Sequence, residues 1–143
     1  MLKAFFLAGS FCVLLAGCDV RKKDKQATIA KAIQEVKDPT TVQLIDSIYD
    51  FGKVTEGEVV EYSYRFKNTG NKPLVVTNVS ASCGCTVPEK PEEPIKPGEM
   101  GFIKVKFNSQ GHPGEAHKTV RVTSNADPAF TELLLKGEVM GKQ

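Results

Sequence analysis

The sequence contains no tryptophan and only three tyrosines, which excludes the Cys–Trp–Cys pattern of antibody domains. It also lacks an excess of charge of one sign, because 19 basic residues against 17 acidic ones give a formal net charge of +2. Proteins that bind nucleic acid usually concentrate basic residues on one face, so we expect no nucleic-acid partner. The composition, with 41% hydrophobic and 25% charged residues over 143 positions, predicts a single globular domain.

An apolar run near the N-terminus is too short to span a membrane. Lys3 is followed by 13 residues without charge, Ala4–Ala16, whereas a transmembrane helix needs about 20. The run fits the apolar region of a secretory signal, which is about 7 to 15 residues long. It ends in Leu-Ala-Gly-Cys, which resembles the lipobox of bacterial lipoproteins. The resemblance implies that residues 1–17 are a signal peptide and that Cys18 becomes the lipidated first residue.

Lipidation at Cys18 would place the protein in the cell envelope. Two or more acyl chains on one residue make a stable anchor, and we expect the inner or the outer membrane, on the periplasmic side or at the cell surface. An ordinary secretory signal is the alternative. Residues 18–41 are mostly polar and contain Asp38-Pro39 near their end, so they predict a short flexible tether, with a weak helix where four apolar residues recur between positions 29 and 36.

From residue 42 onward the hydrophobic pattern alternates with a period of two, which is typical of strands. Turn residues separate segments of strand length. We predict strands over 41–49, continued or kinked through 51–54, and then over 58–67, 73–80, 83–87, 100–107, 117–124 and 130–139.

These segments predict an all-β fold over residues 42–143, an immunoglobulin-like β-sandwich of about seven strands. Four prolines between residues 88 and 98 exclude a central strand there and predict a long loop. A closed barrel is the alternative, but a long crossing connection is typical of Greek-key sandwiches and favours the sandwich.

Five segments of the chain carry a recognisable pattern, residues 51–54, 66–74, 82–86, 123–125 and 135–139, and the third contains the motif Cys-Gly-Cys-Thr. Together they resemble a bacterial family of unknown function that carries this motif and is common in lipoproteins of Bacteroidota. That family is similar to the Hydin-type and major-sperm-protein branch of immunoglobulin-like domains. The resemblance implies a sandwich with a binding or assembly role, and it brings no established reaction.

Cys83 and Cys85 are the residues with the clearest chemical potential. Cys12 would be lost with the signal peptide and Cys18 consumed by lipidation, so this pair would hold the remaining thiols. A disulfide between them closes a three-residue loop and stabilises the fold by only about 1.5 kcal/mol. So tight a ring is strained, which favours a redox pair. The simplest interpretation is that the pair shapes the start of a strand and has no chemical role.

A soft metal site is the third interpretation of the pair. Two thiolates suit Cu(I), and the additional ligands would be Met100, His112 or His117. Zinc would require a second pair of ligands of the same kind, which the sequence does not provide.

The sequence shows no catalytic set, so we expect no enzyme and no cofactor. The main hypothesis is a lipid-anchored, non-enzymatic module that binds a protein, or alternatively a glycan, through its loops or an exposed strand edge. Lys104, Lys106 and Arg121 are predicted to form an outward basic stripe, and the loop of residues 88–99 is acidic, so both are candidate contacts with a partner. The competing hypothesis is a periplasmic thiol-redox or copper-binding protein that uses Cys83 and Cys85.

Overall fold

The structure is a computed structural model that describes residues 38–142. The predicted signal peptide (1–17), the lipidation site Cys18 and most of the predicted tether (18–41), including its weak helix, lie outside the described residues. Within the described part of the chain, no helix is long and apolar enough to cross a membrane.

Eight strands form two four-stranded sheets that pack on each other. In chain order the strands are β1 (Val42–Leu44), β2 (Ile48–Thr55), β3 (Val59–Asn68), β4 (Val76–Ala81), β5 (Thr86–Glu89), β6 (Met100–Asn108), β7 (Gly114–Ser124) and β8 (Leu133–Met140). Sheet I has the order β1-β3-β6-β5 and sheet II the order β2-β8-β7-β4. The prediction of an all-β, immunoglobulin-like sandwich is confirmed.

The structure has eight strands where the sequence predicted about seven, because the predicted first strand is two strands in different sheets. β1 pairs antiparallel with β3 in sheet I, whereas β2 pairs parallel with β8 in sheet II. The chain crosses between the sheets near Asp46, whose carboxylate accepts hydrogen bonds from the Arg65 guanidinium at 2.6 and 2.9 Å. One chain segment therefore covers an edge of each sheet.

The core lies between the sheets and follows the predicted alternation. Tyr64 and Phe66 of β3 are fully buried, and they pack in one cluster with Ile103 of β6 and with Val120 and Leu133 of sheet II. A second cluster surrounds Phe107 near the other end of β6. Burying each such side chain contributes about 1.5 to 3 kcal/mol, so this alternation is the main source of stability.

The last predicted tether residues are already attached to the domain. The Thr40 side chain is buried, and its hydroxyl contacts the Asn68 side chain at 3.0 Å. The amide of Asn68 also donates to the backbone carbonyls of Lys72 at 2.7 Å and Ile95 at 2.9 Å. Asn68 thus joins the N-terminal segment, the turn after β3 and the proline-rich loop.

The long loop predicted over residues 88–98 begins only after Glu89, because Pro88 and Glu89 belong to a short edge strand. Pro88 lies in β5, which is an edge strand of sheet I. Proline has no N–H to donate, and this is tolerated in an edge strand because one side of it has no neighbouring strand. The strand predicted over 83–87 begins only at Thr86, because the two cysteines before it occupy a turn.

Candidate functional site

Cys83 and Cys85 form a disulfide in the turn between β4 and β5, with an S–S distance of 2.01 Å and a Cα–Cα distance of 5.3 Å. The turn is held at both ends by backbone hydrogen bonds. Ser82 donates to the Thr119 carbonyl of sheet II at 2.9 Å, and the Cys85 carbonyl accepts from Asn108 of sheet I, also at 2.9 Å. The disulfide therefore lies in the crossing from one sheet to the other.

The hydroxyl of Thr86 is the polar group next to both sulfurs. Its Oγ1 lies 3.5 Å from Cys83 Sγ and 3.8 Å from Cys85 Sγ. Thr86 is only 4% exposed, whereas both cysteines are half-buried. Gly84 between them is exposed, and a Cβ placed there would meet no other atom within 4 Å. The turn is open to solvent on one side and supported by a buried hydroxyl on the other.

Cys85 borders a surface depression of about 440 Å³ at this end of the sandwich. The depression is lined by Val59, Gly84, Cys85, Val87, Lys106, Asn108, Gln110 and His112. Two of these residues carry basic groups. Lys106 Nζ lies 3.2 Å from Glu61 Oε1, and the His112 ring lies 6.2 Å from the Phe107 ring. Lys90, the cation nearest to the pair in sequence, lines a different depression.

The structure brings only one of the three additional copper ligands to the cysteines. His112 lines the depression beside Cys85. Met100 begins β6, seven residues before Phe107, which corresponds to about 24 Å along an extended strand. His117 lies exposed on β7, opposite Lys136 of β8. Among residues 38–142, no group of three or more His, Cys, Asp or Glu side chains could hold a metal ion.

The outer face of sheet I carries an apolar patch, which we call the Phe102 patch and define as Pro91, Ile95, Met100 and Phe102. Phe102 is 47% exposed and Met100 is 41% exposed. All four residues line a depression of about 370 Å³ between β6 and the proline-rich loop. Charged side chains of Glu89, Lys90, Glu92 and Lys104 line the same depression.

The outer face of sheet II has a different character, because ion pairs cover it. Three pairs join neighbouring strands or their connections: Lys53 to Glu138 at 2.8 Å, Arg121 to Glu132 at 2.6 Å, and Lys136 to Asp50 at 3.7 Å. Basic and acidic side chains on this face therefore satisfy one another.

The predicted basic stripe is wrong. Arg121 lies on β7 in sheet II, whereas Lys104 and Lys106 lie on β6 in sheet I, so the three side chains do not share a surface. Glu89 of the acidic segment lies opposite Lys104 in the pairing of β5 with β6. The acidic segment thus contributes opposite charge to its own sheet.

Two features of these sites escaped the sequence-based prediction. Phe102 was detectable, because an alternation that places Ile103, Val105 and Phe107 inward places Phe102 outward. The contact of the Thr86 hydroxyl with both sulfurs depends on the conformation of the turn. In the sequence, only the position of Thr86 next to Cys85 pointed to this contact.

The fold and the exposed sites define an immunoglobulin-like β-sandwich module. The chain belongs to the family described as protein of unknown function (DUF1573), whose family model matches residues 42–139. The expected relationship to a family of unknown function is confirmed. No curated protein is similar enough in sequence to establish a further relationship.

Solved structures share the fold at low sequence identity. A protein of unknown function from Porphyromonas gingivalis W83 is 18% identical with a TM-score of 0.62, over 72% of this chain and 48% of that protein. The chain therefore spans about half the length of that protein. A PapD-like domain of human CEP192 is 11% identical with a TM-score of 0.54, over 73% of this chain and 88% of that domain.

A part of a secreted enzyme also shares the fold. The secreted serine protease VesC from Vibrio cholerae is 11% identical with a TM-score of 0.51, over 79% of this chain but only 25% of the protease. At these identities the three structures establish a shared fold and nothing about activity.

Proposed function

We propose that the protein is a lipid-anchored, non-enzymatic binding module of the bacterial cell envelope, and that it contacts a protein partner through the Phe102 patch. The observation that carries this proposal is the 47% exposure of Phe102 on the outer face of sheet I. Apolar clusters surrounded by polar residues on a folded domain mark interaction sites.

The surroundings of the Phe102 patch suit a protein partner. The charged residues Glu89, Lys90 and Lys104 line the same depression as its apolar residues, and protein interfaces likewise combine apolar and polar residues. A partner that covers the Phe102 ring would remove apolar area from water, and large aromatic residues are frequent binding hot spots. On sheet II the exposed apolar residues Ile48 and Met140 lie at opposite ends of the β2–β8 pairing and do not form a cluster.

The anchor in this proposal is Cys18, which follows the lipobox-like residues Leu15, Ala16 and Gly17. The segment between Cys18 and Asp38 is mostly polar, which suits a spacer between a membrane and the domain. Attachment to the envelope would hold the Phe102 patch close to partners in the same compartment.

Metabolic labelling with an alkyne fatty acid tests the anchor. The wild-type chain should incorporate the label, and the Cys18→Ser variant should not. Cys12→Ser is the matched control, because its cysteine lies within the predicted signal peptide and its change should leave labelling intact. Equal labelling of the Cys18→Ser variant and the wild type would refute lipidation at this residue.

Affinity purification from cross-linked cells tests the binding function. A specific protein should be recovered with the wild-type chain, and its yield should fall about thirtyfold with Phe102→Ser, since a hot-spot residue contributes about 2 kcal/mol or more and each 1.4 kcal/mol is tenfold in affinity. Arg121→Ser on sheet II is the control and should retain the partner. Recovery of the chain alone, or equal recovery with both variants, would contradict the proposal.

A further inference from the structure

The disulfide turn has a geometry that the binding function does not explain. Cys83 and Cys85 are two residues apart, so their bond closes a very small loop and constrains the unfolded chain little. The strands on both sides of the turn are already held by backbone hydrogen bonds to Thr119 and Asn108. Opening this disulfide would therefore leave the sheets paired, as a reversible redox site requires.

The two sulfurs differ in their surroundings. Cys85 lines the depression next to Val59, Val87 and His112, whereas Cys83 is not among the described residues that line it. Cys83 has the shorter contact with the Thr86 hydroxyl, 3.5 Å against 3.8 Å for Cys85. A thiolate that approaches through the depression would therefore meet Cys85 first.

We propose that the Cys83–Cys85 disulfide accepts two electrons from a dithiol of a second protein, with Cys85 Sγ as the sulfur attacked and the Thr86 hydroxyl stabilising the departing Cys83 sulfur. A hydroxyl that donates to a sulfur anion forms a charge-assisted hydrogen bond, which is stronger than a neutral one. His112 and Lys106, whose Nζ lies 3.2 Å from Glu61, line the depression by which the attacking thiolate would enter.

The exchange proceeds in two steps. A thiolate of the partner attacks Cys85 Sγ, a mixed disulfide forms, and the S–S bond to Cys83 breaks, so that Cys83 leaves as a thiolate. The second thiol of the partner, as a thiolate, then attacks the partner's first sulfur in the mixed disulfide. The bond to Cys85 Sγ breaks, and Cys85 leaves as a thiolate. The partner ends with one new disulfide, and its two protons pass through solvent to Cys83 and Cys85.

Glutathione is the probe for the position of attack. The full-length oxidised chain is incubated with reduced glutathione, quenched with acid and digested, and the modified cysteine is identified by fragmentation mass spectrometry. Glutathione should be found on Cys85. A disulfide that resists glutathione and dithiothreitol until the chain is denatured, or glutathione found predominantly on Cys83, would overturn the proposal.

The Thr86 hydroxyl is tested by the equilibrium with a glutathione redox buffer at pH 8.5, near the ordinary pKa of a thiol. Thr86→Val should lower the equilibrium constant for reduction about fivefold, because the reduced form loses a hydrogen bond to an ionised sulfur. Thr86→Ser keeps a hydroxyl and should restore most of the wild-type value. Equal constants for the valine and serine variants, both folded by thermal unfolding, would refute this role.

The exchange is independent of the proposed binding function. Phe102→Ser lies outside the disulfide turn and should leave both the site of glutathione addition and the equilibrium constant unchanged. Loss of exchange in Phe102→Ser with a wild-type unfolding temperature would contradict the assignment to Cys85 and Thr86.

Discussion

At the scale of single residues, two asparagines within the segments that resemble the family, 66–74 and 123–125, connect distant parts of the chain. Asn68 and Asn125 each use one side-chain amide to join segments distant in sequence. The Asn125 amide donates to the carbonyls of Asp38 at 2.7 Å and Pro73 at 3.0 Å, and its Oδ1 accepts from the Val75 backbone at 2.8 Å. Such residues resemble turn formers in the sequence, yet their side chains hold the loops of the sandwich in place.

Replacement of Asn68 tests this interpretation. Asn68→Ala should lower the free energy of unfolding by about 2 to 4 kcal/mol, because it removes two hydrogen bonds donated by the amide and the two that its Oδ1 accepts from Thr40 and Gly70. Asn71→Ala, at an exposed position of the same turn, should change it by less than about 0.5 kcal/mol. Denaturant unfolding of both variants measures the difference, and equal losses would contradict the role of Asn68.

Tyr64 is a residue whose polar group is not used. Its hydroxyl is buried without a hydrogen-bond partner in the described part of the chain, and burial raises the pKa of its phenol far above the ordinary value. The ring supplies the packing, since it meets the Tyr62 ring edge-on at 4.9 Å. The hydroxyl therefore carries a desolvation cost that no contact offsets.

Removal of that hydroxyl should not destabilise the fold. We expect Tyr64→Phe to leave the free energy of unfolding unchanged or to raise it by about 1 kcal/mol. Tyr62→Phe is the matched control and should not raise it, because the Tyr62 side chain is only partly buried and its hydroxyl is less desolvated than that of Tyr64. A clear loss of stability in Tyr64→Phe would show that the hydroxyl has a partner after all.

At the scale of strands, the crossing from β1 to β2 decides how one segment serves two sheets. Asp46 occupies this crossing and holds the Arg65 guanidinium through two oxygens. These hydrogen bonds lower the pKa of Asp46, with the Arg65 side chain as the largest cause. The pair fixes the end of β1 against β3 at the point where the chain leaves sheet I.

The pH dependence of stability tests this contact. The pKa of Asp46 is lower in the folded chain than the value of about 3.9 in an unfolded one. Its stabilisation is therefore complete above the unfolded value and is lost as the pH falls through the folded value. Asp46→Asn should be less stable than the wild type at pH 7, and this difference should shrink as the pH approaches 2. A difference that is constant from pH 7 to pH 2 would contradict the role of Asp46.

Strands were predictable where their pairing produces local alternation. β3 and β6 bury every second residue, so their extent and inward faces follow from the sequence alone. The division of the first predicted strand was not predictable, because β2 finds its partner β8 about 85 residues later in the chain, through parallel pairing. The local sequence pattern does not determine which strand pairs with β2.

The same distinction applies to the candidate sites. The spacing of Cys83 and Cys85 identified a local pair directly, because two residues of separation need no tertiary information. The position of His112 beside Cys85, and the separation of Met100 and His117 from it, depend on strand order and register. The prediction of a basic stripe was wrong because it also depended on strand order, which places Arg121 in the other sheet.

At the scale of the whole molecule, the domain presents three surfaces with different chemistry. The outer face of sheet II is covered by ion pairs, the outer face of sheet I carries the Phe102 patch, and one end carries the half-buried disulfide. A face rich in paired charges interacts well with water, while an exposed apolar cluster gains from contact with a partner. The proposed binding therefore belongs to sheet I, and the proposed thiol exchange belongs to the Cys83–Cys85 turn.

The most direct test of the binding function is site-specific photo-cross-linking in living cells. A photoreactive amino acid is placed at position 102 on sheet I or at position 121 on sheet II, and adducts are compared by immunoblot. We predict a discrete adduct with a partner protein from position 102, competed by the unlabelled wild-type chain, and none from position 121. Adducts of equal intensity from both positions, or none from position 102, would contradict a partner-binding face on sheet I.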